Sequence, residues 1–401
     1  MAETQSILDR ANKVLIGNYA RQPVVMDRGE GSLLWDTNGR QYIDLFAGFG
    51  GAILGHCHPE LIAAATAQAQ KLWHVGNTFH TQPQVEFAER LAKAAFPGQA
   101  FFCHSGLEAD EAACKLARLR GNQHSPKRWK IISFNRSFHG RSLAMISATG
   151  NPAVKAGFEP MVPGFVQVEP NIASIEAVVD EQTAGIIMEP IQGEGGVNIF
   201  SNEFAAQVRK LCDEKGLTLI FDEVWTGCGR TGKWFGYQYF VTPDGKTIEP
   251  DILTAGKAIG GGLPVGLMWA KPAIAQLLVP GKHGCTLGGN PICMSVGRTI
   301  FDVIEREGLL ARALNFGEKG VGKLRNDPRI KGKVVDVRGH GVMLGIELAE
   351  APQKIVDRGL ERGVILNLTS SKIIRLAPAI NIPADLWERG LELVIETIAA
   401  A

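Results

Sequence analysis

The chain has 401 residues, of which 45% are hydrophobic and 21% are charged, with 42 Lys and Arg against 41 Asp and Glu. A chain of this composition can bury a large core, but it lacks the excess positive charge of proteins that bind nucleic acid or anionic membranes. Its length predicts two domains, or one large domain with an appendage, and small-molecule chemistry is the default function.

The amino-terminal segment and the cysteines bear on cellular location. The segment MAETQSILDRANKVL carries early acids and has no apolar signal core. No uncharged run in the chain reaches the roughly 18 residues that a membrane span needs. Seven cysteines, an odd number without a CxxC pair, argue against a disulfide framework or a zinc ribbon. We therefore expect a cytoplasmic protein with reduced thiols and no membrane contact.

Apolar runs of strand length alternate with helical patterns along the chain, which is typical of an α/β fold. The candidate strands are QAFFCH (99–104), KIISF (130–134), AGIIME (184–189) and LTLIFDE (217–223). Helical patterns follow at 107–121 and 201–216. Near-continuous apolar strands predict a sheet that is buried on both faces. Because ligands of open α/β sheets bind beyond the carboxyl ends of the strands, we expect the site at the polar residues that follow these strands.

A phosphate site is predicted where the first candidate strand meets a helix. Ser105 and Gly106 stand at this junction in HSGLEADEAACK, where free backbone N–H groups and the helix dipole favour an anion. Thr286, in the glycine-rich stretch HGCTLGGNP, offers a second hydroxyl donor. Taken singly, these residues are equally compatible with an ordinary helix cap and an ordinary turn.

Two charged residues stand in unusually apolar surroundings. Asp222 closes the run LTLIFD, where burial disfavours its charge unless a cation meets it. Lys257 is the only charged residue of LTAGKAIGGGLPVGL, and desolvation there lowers the pKa of a lysine. A capping aspartate and a surface lysine are the alternative interpretations. Together, however, the two residues suit pyridoxal phosphate chemistry, in which a lysine forms a Schiff base and an aspartate keeps the pyridine nitrogen protonated.

Two other clusters do not match a known type of site. His56 and His58 lie two residues apart without a third ligand at metal spacing, so we expect a turn there and no metal. The glycines after Lys257 lack the GxGxxG spacing of a dinucleotide-binding loop.

Six motifs in sequence order carry a family resemblance. They are HSGLEADEAACKLAR, FNRSFHGRSLAMISATG, MEPIQGEGGV, IFDEVWTGCGRTG, TAGKAIGGGLP and HGCTLGGNP. This series resembles that of the class III aminotransferases, the ornithine and acetylornithine aminotransferase group. The match runs from GSLLWDTNGRQYIDL near residue 31 to IIRLAPAINIP near residue 373, which is nearly the whole chain.

The resemblance implies an α/β fold of the fold-type I class, with pyridoxal 5′-phosphate as cofactor. A large domain around a mostly parallel seven-stranded sheet would span residues 51–292. A small α+β domain would be built from both chain ends, residues 1–50 and 293–401. The resemblance also implies a homodimer with shared active sites.

The same resemblance assigns roles at the cofactor. Lys257 would be the catalytic lysine that carries the proton, and Asp222 would pair with the pyridine nitrogen. Phe138 and Val224 resemble the residues that sandwich the ring, and Thr286 would come from the other subunit. The full set of cofactor-binding positions is Ser105, Gly106, Leu107, Phe138, His139, Val224 and Thr286.

Three charged residues are assigned to the substrates. Arg141 would hold the distal carboxylate of the substrate, and Arg375 the α-carboxylate of 2-oxoglutarate, because guanidinium forks suit carboxylates. Glu189 resembles the switch residue that pairs with Arg375 while the amino donor is bound. Without such a partner, Arg375 would be a buried, unpaired charge.

The implied reaction is ping-pong transfer of a terminal amine to 2-oxoglutarate. The implied donor is N2-acetylornithine, in arginine biosynthesis, or a similar ω-amino compound. Ornithine, succinylornithine and 4-aminobutyrate stay open as donors. The competing interpretations are a glutamate-1-semialdehyde aminomutase on the same scaffold and a non-catalytic binding protein that keeps the fold.

The chain departs from the family pattern at four positions near the expected site. His104, Leu107 and Asp110 stand where the phosphate motif usually reads NSGTEANEA, so a threonine hydroxyl is missing and an acid is added. Trp225 stands where the aspartate motif usually reads DEVQTG, which places an indole near the phenolic oxygen of the cofactor. These departures bear on cofactor affinity and on substrate choice.

Overall fold

The computed structural model describes residues 2–401, and it has an α/β fold. The strands are β1 (Met26–Glu30), β2 (Leu33–Asp36), β3 (Gln41–Asp44), β4 (Gln99–Cys103), β5 (Lys130–Phe134), β6 (Phe165–Val168), β7 (Thr183–Met188), β8 (Ile191–Gln192), β9 (Asn198–Ile199), β10 (Thr218–Asp222), β11 (Ile252–Ala255), β12 (Gly266–Ala270), β13 (Val334–His340), β14 (Met343–Leu348), β15 (Val364–Ile365), β16 (Asn367–Thr369) and β17 (Ile373–Leu376). The helices are α1 (Ala2–Val14), α2 (Ala47–Gly50), α3 (Pro59–Lys71), α4 (Gln82–Ala94), α5 (Gly106–Gly121), α6 (Leu143–Ala148), α7 (Ile172–Glu176), α8 (Asn202–Lys215), α9 (Pro272–Ala275), α10 (Pro291–Arg306), α11 (Leu309–Asn326), α12 (Ile355–Arg362) and α13 (Ala384–Ala399).

The largest sheet has seven strands in the order β4-β12-β11-β10-β7-β5-β6. Strand β12 runs antiparallel to both of its neighbours, and the pairings from β11 to β6 are all parallel. The expected mostly parallel seven-stranded sheet is therefore confirmed. The four candidate strands from the sequence correspond to β4, β5, β7 and β10.

The central strands are buried on both faces, and their side chains alternate between two hydrophobic clusters. Ile186, Leu219 and Leu253 belong to one cluster, while an adjacent isoleucine of each strand belongs to the other, namely Ile187, Ile220 and Ile252. Successive side chains of a strand point to opposite faces of the sheet. Helix α5 packs across the second face. A continuous apolar run is what such a doubly covered strand requires.

Side-chain caps set the ends of the helices that border the sheet. The Ser105 hydroxyl accepts a hydrogen bond from the Glu108 N–H at the start of α5, at 3.3 Å. Ser201 caps α8 in the same way through the Phe204 N–H, at 3.1 Å. Helix α8 ends at Gly216, whose φ of 65° lies in the left-handed region that favours glycine. These are the caps that the two sequence patterns predict.

The two ends of the chain meet in smaller sheets. Strand β3 pairs in parallel with β15, which joins the amino-terminal strands to the carboxy-terminal part of the chain. A second sheet, in the order β13-β14-β17-β16, is antiparallel and carries Arg375 on β17. Within residues 2–401, no helix combines the length and the apolar character needed to cross a bilayer.

Candidate active site

Polar residues that follow the strands of the large sheet surround a cavity of about 340 Å³. Asp222 is the last residue of β10, Glu189 follows β7, and Lys257 lies two residues beyond β11. Nine of the predicted site residues line this cavity: Ser105, Gly106, Leu107, Phe138, His139, Glu189, Asp222, Val224 and Lys257. The structure therefore brings most of the predicted set together at the expected edge of the sheet.

Lys257 has a strained backbone and a partly buried side chain. Its φ is 46°, in the left-handed region that non-glycine residues seldom adopt. Its Nζ lies 4.5 Å from the centroid of the Trp225 ring. Burial lowers the pKa of Lys257 to about 8, although nearby carboxylates, Asp222 foremost, oppose the shift. A lysine whose pKa lies this close to neutrality can both accept and donate a proton.

The depressed pKa of Lys257 predicts a stability effect in the cofactor-free protein. The folded protein releases this proton near pH 8, whereas the unfolded chain keeps it up to about pH 10.5. The cost of burying the charge is therefore complete below pH 8 and disappears as the pH rises to 10.5. We expect Lys257→Met to stabilise the cofactor-free protein at pH 7 by roughly 1–3 kcal/mol, with the gain fading towards pH 10.5. Urea unfolding at several pH values measures this, and a gain that is independent of pH would contradict it.

Asp222 is buried and oriented from two sides. Its Oδ2 lies 2.7 Å from His139 Nδ1, and its Oδ1 accepts a hydrogen bond from the Val224 N–H at 3.0 Å. Across residues 2–401, neither lysine nor arginine forms an ion pair with Asp222 within 4.0 Å. The Nε2 atom of His139 is buried and has no hydrogen-bond partner in the same range. The carboxylate is thus held in place for a cationic partner that enters the cavity.

The backbone at the start of α5 is closely packed against Val224, with no room for a side chain at Gly106. A Cβ atom at Gly106 would lie 2.4 Å from Val224 Cγ2, so this position requires glycine. The first N–H groups of a helix have no acceptor within the helix, and here the first two helical residues, Gly106 and Leu107, line the cavity. Beside them, the Ser105 hydroxyl contacts Glu108 Oε2 at 3.1 Å. The geometry fits an anion such as phosphate at the amino terminus of α5.

His104, one of the departures from the family pattern, is held by neighbouring side chains. Its Nδ1 lies 3.1 Å from Glu108 Oε1 and 3.2 Å from the Cys285 sulfur. Its backbone N–H donates to Glu108 Oε2 at 2.9 Å. Glu108 therefore secures the strand end and the helix start together.

Arg375 is buried, and its acidic partner differs from the predicted one. Its Nη2 lies 3.1 Å from Glu194 Oε1, and its guanidinium lies 4.1 Å from the centroid of the Trp225 ring. The structure shows no ion pair of Arg375 with Glu189 within 4.0 Å among residues 2–401, and the assignment of Glu189 as the switch residue stays a prediction. The two carboxylate oxygens of Glu189 accept hydrogen bonds from the N–H groups of Phe138 and Gly193, each at 3.0 Å, which holds this side chain in place.

The guanidinium of Arg375 still has unused donors. None of its three side-chain nitrogens has a well-aligned hydrogen bond within residues 2–401. Glu194 is half-buried on the loop between β8 and β9, five residues after Glu189, and could be found in the sequence as the second acid of MEPIQGEGG. A buried guanidinium with free donors beside a movable carboxylate is suited to bind a substrate carboxylate.

Three predicted site residues do not line the cavity, namely Arg375, described above, Arg141 and Thr286. Arg141 is exposed, with its guanidinium 5.7 Å from the centroid of the Phe138 ring. Thr286 is exposed and does not line the cavity of its own chain. The assignment of Arg141 to substrate and of Thr286 to a second subunit stays a prediction.

Trp225 and Asp110 prove more central than the sequence patterns indicated. The Trp225 ring is buried and lies near the cations of Lys257 and Arg375, which are 4.5 and 4.1 Å from its centroid. Cations are attracted to the face of an indole ring. Asp110 is buried beside Asp222, although the sequence marked it only as an added acid.

Comparison with known proteins places this geometry in a family. The profile of the Aminotransferase class-III family matches residues 16–398. The chain is 41% identical to the acetylornithine aminotransferase of Aquifex aeolicus (strain VF5) over 96% of this chain and 99% of that protein. It is 39% identical to the acetylornithine aminotransferase of Myxococcus xanthus over 94% of both.

Solved structures agree with this placement. An ornithine aminotransferase from Toxoplasma gondii ME49 superposes with a TM-score of 0.93 at 29% identity, covering 99% of this chain and 95% of that one. An acetylornithine aminotransferase from Elizabethkingia anophelis gives a TM-score of 0.86 at 29% identity, covering 99% of both chains. Class III aminotransferases use pyridoxal 5′-phosphate, so the enzyme class and the cofactor expected from the sequence are confirmed. The chain belongs to the class III aminotransferases.

Proposed function

We propose that this aminotransferase moves the terminal amine of N2-acetylornithine, or of a similar ω-amino donor, to 2-oxoglutarate. The main support is that Lys257 and Asp222 line one cavity, while the buried guanidinium of Arg375 lies 4.1 Å from the centroid of the Trp225 ring and has free donors. The curated relatives named acetylornithine aminotransferase support this donor. Such a reaction would serve arginine biosynthesis.

The residues present fit pyridoxal 5′-phosphate. Ser105 and the amino terminus of α5 would hold the phosphate, Asp222 would face the pyridine nitrogen, and Lys257 would reach the aldehyde carbon. When bound, this cofactor supplies an electron sink that stabilises negative charge on a substrate carbon. Phe138 and Val224, on the cavity wall, would lie against the two faces of the ring.

Lys257 would move the proton between the substrate carbon and the cofactor. With a pKa of about 8, a fraction of its amine is neutral near neutral pH and ready to accept a proton. The Trp225 ring beside Nζ restricts the access of water to the amine. The left-handed backbone of Lys257, although strained, fixes the direction from which the amine approaches.

Arg375 and Glu194 would separate the two half-reactions. A donor that presents its terminal amine brings no carboxylate close to Arg375, so Glu194 stays paired with the guanidinium. When 2-oxoglutarate binds, its carboxylate competes for the same donors, and Glu194 must move away. This arrangement favours a transferase over an aminomutase, which needs no second substrate.

The choice between Glu194 and Glu189 can be decided by substitution. We expect Glu194→Gln to weaken the ion pair of Arg375 and to lower the KM for 2-oxoglutarate several-fold. Glu189→Gln is the matched control, because its carboxylate binds backbone N–H groups and not the guanidinium. Steady-state kinetics with both substrates varied provides the measurement. A lower KM in Glu189→Gln, with none in Glu194→Gln, would restore the partner predicted from the sequence.

The donor is tested one half-reaction at a time. The purified protein is loaded with pyridoxal 5′-phosphate, and its visible absorption is followed after N2-acetylornithine is added alone. We expect the cofactor band to be lost and then restored by 2-oxoglutarate. If the cofactor band does not change with N2-acetylornithine but is lost with ornithine, succinylornithine or 4-aminobutyrate, the compound that removes the band is the donor. Isomerisation of glutamate 1-semialdehyde without any keto acid would identify an aminomutase.

We also propose a homodimer in which Thr286 completes the phosphate site of the partner subunit. In support, Thr286 is exposed and lies outside the cavity of its own chain. We expect light scattering to give twice the chain mass. We also expect hybrid dimers of Lys257→Ala and Thr286→Ala chains to recover activity that neither variant has alone, because one site then escapes both changes. If the hybrid dimers recover no activity, Thr286 does not belong to the phosphate site of the partner subunit.

The remaining assignments from the sequence stand as proposals. We propose a large domain of residues 51–292 and a small domain formed by residues 1–50 and 293–401. The pairing of β3 with β15 supports the joining of the two chain ends. We further propose a cytoplasmic location and no nucleic-acid partner, in line with the balanced charge of the chain.

A further inference from the structure

Asp110, on the second turn of α5, lies in the interior next to the site residues. Its side chain is only 1% exposed, and its Oδ1 accepts a hydrogen bond from the Thr254 hydroxyl at 2.5 Å. One ligand atom each of Asp110, His139 and Asp222 lies within 4.8 Å of the other two. In residues 2–401, His139 is the one basic side chain that contacts either carboxyl group within 4.0 Å.

Two buried carboxyl groups at this distance cannot both ionise at low cost. Each charge lacks water around it, and each repels the other, so ionising both carboxyl groups costs more than ionising one. The surroundings decide which carboxyl group keeps its proton. Asp222 is stabilised as an anion by His139 at 2.7 Å and by the Val224 N–H at 3.0 Å. Asp110 has only the hydroxyl of Thr254, which bonds equally well to the carbonyl oxygen of a neutral acid.

Other titratable groups around Asp110 favour the same assignment. Burial and the charge of Asp222 raise the pKa of Asp110 well above its usual range, and Glu189 adds to this shift. The titratable groups that act on it are Asp222 at the end of β10, His139 after β5, Glu189 after β7, Cys103 at the end of β4 and Cys114 on α5 itself. Lys257 lines the same cavity as Asp110.

We propose that Asp110 is held as a neutral carboxylic acid that donates a hydrogen bond to Asp222 and thereby positions the single negative charge of the Asp222–His139 pair. Asp110 is a positioning residue, because it acts on the cofactor only through Asp222. This role towards the pyridine nitrogen rests on the proposed function. The protonation state of Asp110 does not depend on the proposed function, and it can be tested in the cofactor-free protein.

Asp110→Asn separates the neutral acid from an ionised one. The amide has the same shape, can donate to Asp222 and can accept from Thr254, but it carries no titratable proton. In the native chain, the folded state keeps the proton of Asp110 while the unfolded state loses it above about pH 4, so stability falls as the pH rises towards the folded pKa. The variant does not have this loss.

Urea unfolding of the cofactor-free proteins at pH 5, 6.5 and 8 measures the difference. We expect the unfolding equilibrium constant of Asp110→Asn, relative to native, to fall by up to about tenfold per pH unit, so that the variant gains most at pH 8. Asp27→Asn, the same change at an exposed position on β1, should show no such trend. The proposal would be overturned if the gain in stability of Asp110→Asn over the native protein did not change with pH, or if the variant lost stability increasingly as the pH rises.

Infrared spectroscopy gives a readout that does not depend on stability. At pH 7 the C=O stretch of protonated carboxylic acids in the native cofactor-free protein should lose intensity in Asp110→Asn and keep it in Asp27→Asn. Burial raises the pKa of Glu189 and of Glu223 to about 7, so these two groups account for the band that remains. An identical band in native protein and Asp110→Asn would place the proton elsewhere.

The positioning role is tested with the cofactor bound. The visible band of the bound cofactor should keep its dependence on pH in Asp110→Asn, which retains a donor to Asp222. That dependence should shift in Asp110→Ala, which does not. If the protein binds no cofactor, the proposed function fails while the unfolding and infrared measurements still decide the state of Asp110. Equal shifts in the two variants would show that a donor at residue 110 does not position Asp222.

Discussion

Replacing Lys257 with alanine is expected to lower turnover by at least about 10³-fold while the protein stays folded. The reason is chemical, because within the cavity Lys257 supplies the one primary amine that can form a Schiff base and carry the proton. The change also removes a partly buried cation, so it should not weaken the fold. Steady-state amine transfer to 2-oxoglutarate, with circular dichroism as the check on folding, measures the outcome.

Lys271→Ala is the matched control for this experiment. Lys271 directly follows β12 of the same large sheet. It lies at the end of the sheet opposite to the cavity, with its Nζ 3.8 Å from Asp251 Oδ1. We expect turnover close to that of the native protein. Sustained turnover by Lys257→Ala would refute the role of Lys257, and equal losses in both variants would point to a general effect on the sheet.

Substituting Asp222 by asparagine is expected to lower turnover by roughly 10²–10³-fold, the range found when one electrostatic contact to a reacting group is removed. The amide keeps the shape of the carboxylate and can still contact His139 and the Val224 N–H. What it loses is the negative charge that would hold a proton on the pyridine nitrogen. The effect should therefore fall on kcat, and the visible band of the bound cofactor should change its dependence on pH.

Asp251→Asn is the control for the loss of a partly buried aspartate next to a strand of the same sheet. Asp251 pairs with Arg209 at 3.2 Å and lies just before β11, away from the cavity. We expect this variant to lose some stability and to keep the native kcat and the native spectrum. An Asp222→Asn enzyme with unchanged kcat would show that the charge of Asp222 is dispensable, and a loss confined to KM would assign Asp222 to binding alone.

The ring of Trp225 connects these predictions to substrate choice. Its centroid lies 4.5 Å from Lys257 Nζ and 4.1 Å from the guanidinium carbon of Arg375, so that one side chain contacts both cations. An amide at this position, as in the usual family motif, would offer hydrogen bonds, whereas the indole offers an aromatic face that attracts cations.

The sequence alone sufficed to predict four strands and two helices of the large sheet and its cover, and to propose Lys257 and Asp222 as the catalytic residues. Strands β5, β7 and β10 were predictable because burial on both faces demands continuous apolar runs, and α5 and α8 because their Ser caps are local signals. Lys257 and Asp222 could be found because each is a charge within an apolar stretch. Such patterns depend on neighbours in the chain, so one sequence suffices to detect them.

Only the tertiary structure decided how the charges pair. The two candidate acids, Glu189 and Glu194, are almost equally distant from Arg375 in the sequence. In the structure, backbone N–H groups hold Glu189, and Glu194 is the partner of Arg375. The contact of Asp110 with Asp222 likewise joins α5 to β10 across the sheet. Ion pairs and shared protons depend on distances of a few ångströms between segments far apart in the chain, and no local pattern encodes those distances.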